Sequence, residues 1–255
     1  MMKVFSLPVI VALFAWILLM PALMDSANVS AQQEASYSQR TSQAVEVAKE
    51  AMTKLEEAGK KSGPNEWVRL GEAELRAGKI EDSIVSFERA ISLAGDDEFT
   101  AGLWQYGISL FFAKRYDEGT KLFDQYQQFG PDDVETAAWH FMCMAKAKDV
   151  ETARQNVIEI YGDGRPAMKE VHQRLSGGED SIVHDAIRKA KGTPRQGAAI
   201  FFGNFYLGAI ADAEGDLPRA KRRMKVAAIS PYTEFMADVA KVYSKQLDGS
   251  QDSPQ

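Results

Sequence analysis

Cysteine is nearly absent from this sequence, with Cys143 as the single example among 255 residues. One cysteine cannot close an internal disulfide, so a disulfide framework is excluded and the fold has to rest on packing. Histidine is almost as scarce, with three residues at positions 140, 172 and 184. None of them has a metal-binding spacing such as His-Glu-x-x-His, and we therefore predict neither a metal nor another cofactor.

An excess of positive charge is also missing. The chain has 30 lysine and arginine residues against 36 aspartate and glutamate residues, a formal net charge of −6 at pH 7. Binding to nucleic acid requires a basic face, so nucleic acid is excluded as the main partner, and adsorption to anionic lipid is disfavoured. Hydrophobic residues make up 45% of the chain, enough to bury a core, and protein partners remain open.

Motifs of catalysis are missing as well. The sequence has no Gly-x-Ser-x-Gly elbow, no phosphate-binding Walker loop and no Gly-x-Gly-x-x-Gly after a strand pattern. His140 and Cys143 lie three residues apart and share a helix face, as a nucleophile and its base would. The alternative, which we favour, is that Cys143 is a small core residue beside Met142 and Met144. The sequence therefore predicts a protein that is not an enzyme.

The first 31 residues have the three parts of a secretory signal. Lys3 precedes an apolar run over residues 4–24, and Val29, Ser30 and Ala31 form a cleavage site that places the cut after Ala31. An uncleaved membrane anchor is the alternative, because the apolar run is nearly long enough to span a bilayer. We predict export to the periplasm or the medium. Residues 32–40 read as a flexible lead-in and residues 248–255 as a disordered tail, with a helical domain over residues 41–247.

Strict alternation of apolar and polar residues is not found, so we predict an all-α fold. Residues 41–58 form an amphipathic helix pattern, which fits an N-terminal cap or a dimerisation element. Beyond it, a unit recurs at 34 to 36 residues. The first unit contains Trp67, Leu70, Gly71, Gly78, Ile80, Ser83, Phe87 and Ala90. Later units contain Leu103, Tyr106, Gly107, Gly119 and Phe123, then Phe141, Met144, Val150, Ala153 and Val157, and finally Leu207, Gly208, Ala211, Gly215, Leu217, Ala220 and Met224.

The recurring residues have a physical role. Small residues such as Gly71, Gly107 and Gly208 let two helices approach closely, and bulky residues such as Phe87 and Phe123 fill the space between them. A helix pair cannot bury its apolar face alone, so such pairs stack.

These residues resemble the tetratricopeptide-repeat (TPR) family. The resemblance implies a superhelix of about five helix pairs, the third and fourth degenerate, with an N-terminal capping helix. The segment from Phe205 to Gly208, followed by Gly215, Asp216, Leu217 and Ala220, is similar to the NlpI type of bacterial cell-envelope TPR protein. That resemblance implies a homodimer and a scaffold for enzymes of the cell envelope. The lipidated cysteine of that type has no counterpart here.

Residues 160–200 depart from the repeat, because glycine and proline punctuate two short helix patterns at about 167–175 and 180–189. The segment is either a distorted repeat or a special loop. His172 and His184 flank its glycine-rich break. A metal-dependent or enzymatic site in this region is the alternative to a scaffold function.

In the TPR family the first helix of each pair lines a concave groove. On that resemblance, partner-binding groove residues are expected to be aromatic or apolar with few charges, and to suit a peptide with bulky side chains. They are Val68, Glu72, Arg76, Trp104, Ile108, Phe112, Met142, Lys146, Phe205 and Asp212. The alternative for each aromatic position is core packing between helices. Other proteins or peptides, among them envelope enzymes, are the predicted partners.

Overall fold

A computed structural model describes residues 8–128 and 132–250. Within these ranges the chain is all-helical and has no strand, as the sequence predicts. None of the described helices is long and apolar enough to cross a membrane. The helices are α1 (Pro8–Glu57), α2 (Pro64–Arg76), α3 (Ile80–Ala94), α4 (Asp97–Ala101), α5 (Trp104–Phe112), α6 (Tyr116–Tyr126), α7 (Val134–Ala147), α8 (Val150–Gln155), α9 (Met168–Leu175), α10 (Asp180–Lys189), α11 (Gln196–Ala213), α12 (Leu217–Ala228) and α13 (Phe235–Gly249).

The flexible lead-in expected over residues 32–40 is instead part of α1. This segment is polar, but Tyr37 within it begins a buried helical stripe that continues with Thr41 and Val45 at intervals of four residues. The Tyr37 hydroxyl donates a hydrogen bond of 2.6 Å to the carbonyl oxygen of Arg76 at the end of α2. Further along α1, Val45 and Met52 form a small apolar cluster with Leu70 of α2. The helix predicted at 41–58 is therefore the C-terminal part of a longer one.

The two ends of the chain lie partly beyond the described ranges. Residues 1–7 of the predicted signal peptide and residues 251–255 of the predicted tail are outside them. Asp248 and Gly249, expected in the disordered tail, form the end of α13 instead. Cleavage after Ala31 stays a prediction.

The glycines of the repeat pattern lie where helices approach closely. A methyl group on Gly107 of α5 would lie 2.6 Å from the ring of Phe123 in α6, and one on Gly71 of α2 would lie 3.0 Å from the ring of Phe87 in α3. On α11, a methyl group on Gly208 would lie 3.0 Å from the backbone nitrogen of Met224 in α12. The predicted close approach of the helices is confirmed at these three positions.

The middle of the chain is irregular, as predicted. The α8 helix is only six residues long. The α9 and α10 helices begin and end within one residue of the predicted bounds. Gly177 in the turn between them has φ of +98°, a conformation that residues with a side chain rarely adopt. The α10 helix packs on α11, and α9 packs on both α7 and α11.

The α13 helix falls outside the repeat pattern. It packs on α12 and reaches back to α2 near the other end of the chain. Its apolar side includes Met236, Val239, Tyr243 and Leu247, all buried in the largest hydrophobic core. Those residues follow one another at three or four positions, which is the spacing of one helix face.

Candidate functional site

The α13 helix covers the face on which the sequence predicts a partner-binding groove. Its Tyr243 ring lies against Phe111 and Phe112 of α5, with ring centroids 5.5 and 5.4 Å apart. The same ring lies 6.3 Å from Phe205 of α11. Edge-to-face contacts of this kind add to the stability gained by burying the rings. The aromatic residues of this face therefore form a core around an internal helix.

A buried carboxylate on α13 ties this helix to both α1 and α2. Asp238 is only 2% exposed. It accepts a hydrogen bond of 3.0 Å from Arg40 Nη1 and one of 2.8 Å from Arg76 Nε. A buried carboxylate without such partners would carry a large desolvation cost, and two guanidinium groups offset it. Arg76, predicted as a groove residue, thus binds a side chain of its own chain.

A second polar contact lies five residues further along α13, at Tyr243. The Tyr243 hydroxyl donates a hydrogen bond of 2.7 Å to Oδ2 of Asp212 in α11. Lys146 of α7 donates one of 2.9 Å to Oδ1 of the same carboxylate. Burial raises the pKa of Tyr243 well above its ordinary value, and the Asp212 charge adds to that shift. Lys146 and Asp212, both predicted as groove residues, are thereby held by partners inside the chain.

The prediction of an open aromatic groove needs correction at four positions. The buried positions are Ile108, Phe112, Met142 and Phe205. Each belongs to the largest core cluster, so a partner cannot reach them while α13 is in place. The repeat pattern ends before α13 begins, which is why sequence reasoning missed the covering helix. The signal that would have found it is the apolar spacing of Met236, Val239, Tyr243 and Leu247.

The remaining predicted groove residues lie at the edge of this face. Val68 is half-buried against the cluster that includes Ile84. Glu72 accepts a hydrogen bond of 2.5 Å from Nε2 of Gln105 in α5, and burial raises the pKa of Glu72. Trp104 is half-buried and meets Phe235 of α13 edge to face at 5.1 Å. These three side chains are partly accessible, as are Arg76, Lys146 and Asp212.

Charged side chains hold the irregular region together. Arg174 of α9, only 7% exposed, donates to Asp180 Oδ1 at 2.6 Å and to Glu214 Oε1 at 2.7 Å. Arg154 and Arg219 also contact Glu214, at 2.7 and 2.6 Å. This network joins α8, α9, α10 and α12 to Glu214, the residue after α11. Its most distant members, Arg154 and Arg219, lie 65 residues apart in the sequence. Its carboxylates and guanidinium groups pair with one another, although the Nε atoms of Arg154 and Arg219 are buried without a hydrogen-bond partner.

The histidines of the irregular region have separate partners. His172 Nε2 lies 2.8 Å from the carbonyl oxygen of Ile158, and His184 Nε2 lies 2.5 Å from Arg223 Nη2. Burial and the Arg223 charge lower the pKa of His184. Across residues 8–128 and 132–250, no group of three or more side chains is arranged to hold a metal ion.

Cys143 and His140 do not form an accessible reactive pair. Cys143 is fully buried, and burial raises the pKa of its thiol, which keeps the sulfur in its less nucleophilic form. A methyl group on Gly119 would lie 2.8 Å from the sulfur, so the neighbouring helix α6 covers it closely. His140 lies 3.0 Å from Asp124, yet burial lowers its pKa. This arrangement agrees with Cys143 as a core residue.

One cavity opens beside the edge of the α13 face, and we name it the Trp104 pocket. It has a volume of about 220 Å³ and lies between α5, α6, α7 and the first turn of α13. Its lining residues are Trp104, Phe123, Tyr126, Asp133, Glu135, Thr136, Trp139 and Met236. Four aromatic rings and two carboxylates thus surround one space. Apart from Trp104, no residue of this lining was among the predicted groove residues.

The chain was also compared with known proteins: no family model, no curated protein and no solved structure matches it.

Proposed function

We propose that this protein is an exported TPR-type scaffold that binds protein partners through the face formed by the first helices of its repeats. In this proposal the helix pairs form a superhelix, with α2, α5, α7 and α11 on its concave side. The supporting observation is that this side holds an amphipathic helix, α13, seated among aromatic rings. A face that receives a helix from its own chain has the chemistry to receive one from a partner.

The contacts of α13 define the kind of partner helix that would compete with it. Such a helix needs an acidic residue to meet Arg40 and Arg76, as Asp238 does. It also needs an aromatic residue about five positions further on, in the place of Tyr243. Because α13 belongs to the same chain, its effective concentration at this face is on the order of millimolar. A partner helix therefore has to bind the face more tightly than α13 does, or to contact the exposed edge as well.

The predicted export and the likeness to envelope TPR proteins point to enzymes of the cell envelope as partners, and to a second copy of the chain as another. A metal-dependent or enzymatic role for residues 160–200 finds no such support. Arg174 and Asp180 of that region pair with each other, and Arg174 also pairs with Glu214 beyond it.

Site-specific photo-crosslinking in cells tests the proposal. A photoreactive residue at Val68, at the edge of the face, is compared with one at Val85, which is 62% exposed on α3. Each is placed in the natural sequence and in the Asp238→Asn variant, which weakens the attachment of α13. We expect Val68 to capture a defined set of proteins, more strongly in the variant, and Val85 not to capture them.

Circular dichroism of the Asp238→Asn variant is the folding control. Capture of the same proteins from both positions would contradict binding at this face. An unchanged yield at Val68 in a folded Asp238→Asn variant would contradict competition with α13. Absence of any capture at Val68 would remove the support for a scaffold function.

A further inference from the structure

The Trp104 pocket combines aromatic walls with an unusual local charge. Trp104 comes from α5, Phe123 and Tyr126 from α6, and Trp139 from α7. An aromatic ring has a negative face, which attracts a cation that lies within about 6 Å of its centre. Several rings around one space therefore favour a cationic group over an anionic one.

Two carboxylates strengthen this preference. Asp133 precedes α7 as its N-cap, and Glu135 lies in its first turn. Arg165 is the cation that contacts them: its Nη1 lies 2.5 Å from Glu135 and its Nη2 lies 3.7 Å from Asp133. The same guanidinium group also pairs with Asp163 at 2.6 Å. Three carboxylates thus share one guanidinium group, and their full ionisation leaves two negative charges in excess beside the pocket. Burial raises the pKa of Glu135, while the Arg165 charge opposes that shift.

The pKa of Tyr126, whose ring lines the pocket, agrees with that excess of negative charge. The pKa of Tyr126 is raised by burial and by the charges of Asp133 and Glu135. Burial disfavours a charge of either sign, and only the Asp133 and Glu135 charges, which oppose a phenolate, would attract a cation.

The carboxylates supply charge but few free oxygen atoms. Asp133 Oδ1 accepts a hydrogen bond of 2.9 Å from the Thr136 backbone nitrogen. Glu135 Oε1 accepts one of 2.9 Å from the Tyr206 hydroxyl, and its Oε2 accepts one from Arg165. Three of the four oxygens already have donors. A metal ion needs several free oxygen ligands, and a primary ammonium needs acceptors for three N–H groups. A quaternary ammonium group has no N–H and needs neither free oxygen ligands nor hydrogen-bond acceptors.

An unused donor lies in the same lining. Trp139 is 1% exposed, and its indole Nε1 is buried without a hydrogen-bond partner. A buried N–H without an acceptor costs free energy, and an acceptor brought by a ligand would satisfy it after a shift of the Trp139 ring, because Nε1 has almost no exposed surface. A hydroxyl or carboxylate oxygen next to the ammonium is the simplest way to supply it.

We propose that the Trp104 pocket is a binding site for a quaternary ammonium group whose carrier has a hydrogen-bond acceptor nearby. The half-buried rings of Trp104 and Tyr126 contact the methyl groups of the cation, the nearly buried rings of Phe123 and Trp139 lie behind them, and Asp133 and Glu135 provide the compensating charge. This site shares Trp104 with the predicted groove and Met236 with α13, but binding of the cation does not require a partner helix.

Isothermal titration calorimetry of the full chain with choline tests the proposal. The neutral compound 3,3-dimethylbutan-1-ol, in which carbon replaces the ammonium nitrogen, is the matched control ligand. We expect choline to bind and the neutral compound to bind at least about tenfold more weakly, because it lacks the charge that the rings and carboxylates recognise. Equal binding of the two would overturn the proposal, and so would absence of choline binding at millimolar concentration.

Two variants connect the binding to these residues. Tyr126→Leu removes one half-buried ring and should weaken choline binding roughly 2- to 30-fold. The matched control is Tyr161→Leu, at an exposed position outside the pocket, which should leave binding unchanged. Asp133→Asn keeps a side chain that can cap α7 but removes a charge, and should weaken binding about threefold or more. Equal affinity of Tyr126→Leu and Tyr161→Leu would overturn the proposal.

The source of the cation is determined by comparing carriers. Free choline, vesicles of phosphatidylcholine and a peptide with a trimethyllysine residue present the same group on a small molecule, a lipid and a protein. Tighter binding of one carrier, lost in Tyr126→Leu, identifies the source. If carriers bind but Tyr126→Leu does not weaken them, their binding lies elsewhere and the assignment to this pocket is overturned.

Discussion

The α5–α6 hairpin and the α9–α10 hairpin are built from the same kind of short helix pair but are held together by opposite means. In the first, Gly107 lets α5 approach the ring of Phe123 so closely that a methyl group would lie 2.6 Å from it. In the second, Arg174 lies nearly buried between Asp180 and Glu214. One pair is closed by shape and the other by charge.

The two means differ in how far they can be read from sequence. A glycine and an aromatic residue recur at fixed positions from unit to unit, so the pattern predicts that the two helices meet at these residues. Arg174 and Glu214 are 40 residues apart, and each could equally be a surface residue. Closure by shape is therefore visible in the repeat, whereas closure by charge appears only when the helices are in place.

The largest effect is expected from breaking the charge-closed pair. Arg174→Met removes the most buried cation of its network and leaves Asp180 and Glu214 with fewer partners. We expect a loss of about 2–4 kcal/mol in the free energy of unfolding, measured by urea denaturation, because three charge-assisted hydrogen bonds of a nearly buried guanidinium group are lost. Arg188→Met, which removes an exposed pairing with Asp185, is the control and should change little. Equal stability of the two variants would contradict the structural role given to Arg174.

A smaller effect is expected from overfilling the shape-closed pair. Gly107→Ala pushes on the buried Phe123 and Leu122 side chains and should destabilise the protein by about 1–2 kcal/mol, despite the better helix propensity of alanine. Gly102→Ala is the matched control, because Gly102 is exposed at the end of α4 and the nearest atom to its methyl group would lie 3.5 Å away, an ordinary contact distance. A thermal midpoint for Gly107→Ala at or above that of Gly102→Ala would contradict closure by shape.

The smallest effect concerns a titratable ring packed beside the shape-closed hairpin. Burial lowers the pKa of His140, although the nearby Asp124 opposes this shift. The unfolded chain therefore binds a proton more readily than the folded one, so stability falls as the pH drops below about 6.5, the ordinary value for histidine. Thermal midpoints at about pH 7.5 and pH 5.5 should differ more for the natural protein than for His140→Gln. An equal difference in both proteins would show that His140 does not carry this dependence.

The helical segments illustrate how far sequence reasoning reached. The bounds of α9 and α10 were predicted within one residue, because glycine and proline punctuate both ends. The lead-in at 32–40 was predicted wrongly, because Tyr37, its one buried residue, belongs to a helical stripe that continues through Thr41 and Val45, and Tyr37 binds the end of α2. Local punctuation determines where a short helix ends, but burial determines whether a polar helix forms at all.

The candidate site shows a sharper limit. The resemblance stated for the sequence predicted that Arg76, Phe112, Phe205 and Asp212 share one face, and these side chains do contact one helix. That helix is α13 of the same chain rather than a partner, and its position depends on the packing of several helices. The Trp104 pocket was missed for the same reason, since its lining joins residues as distant as Trp104 and Met236.

By itself, the sequence determined the all-helical class, the recurrence of small and bulky residues and the helix contacts at Gly71, Gly107 and Gly208. Those are consequences of local periodicity and side-chain size, which the chain carries at every position. Tertiary structure alone decided that α13 covers the aromatic face, that Asp238 is shared by Arg40 and Arg76, and that four rings and two carboxylates enclose one pocket. These depend on which distant segments meet, and that is set by how all the helices together bury their apolar faces.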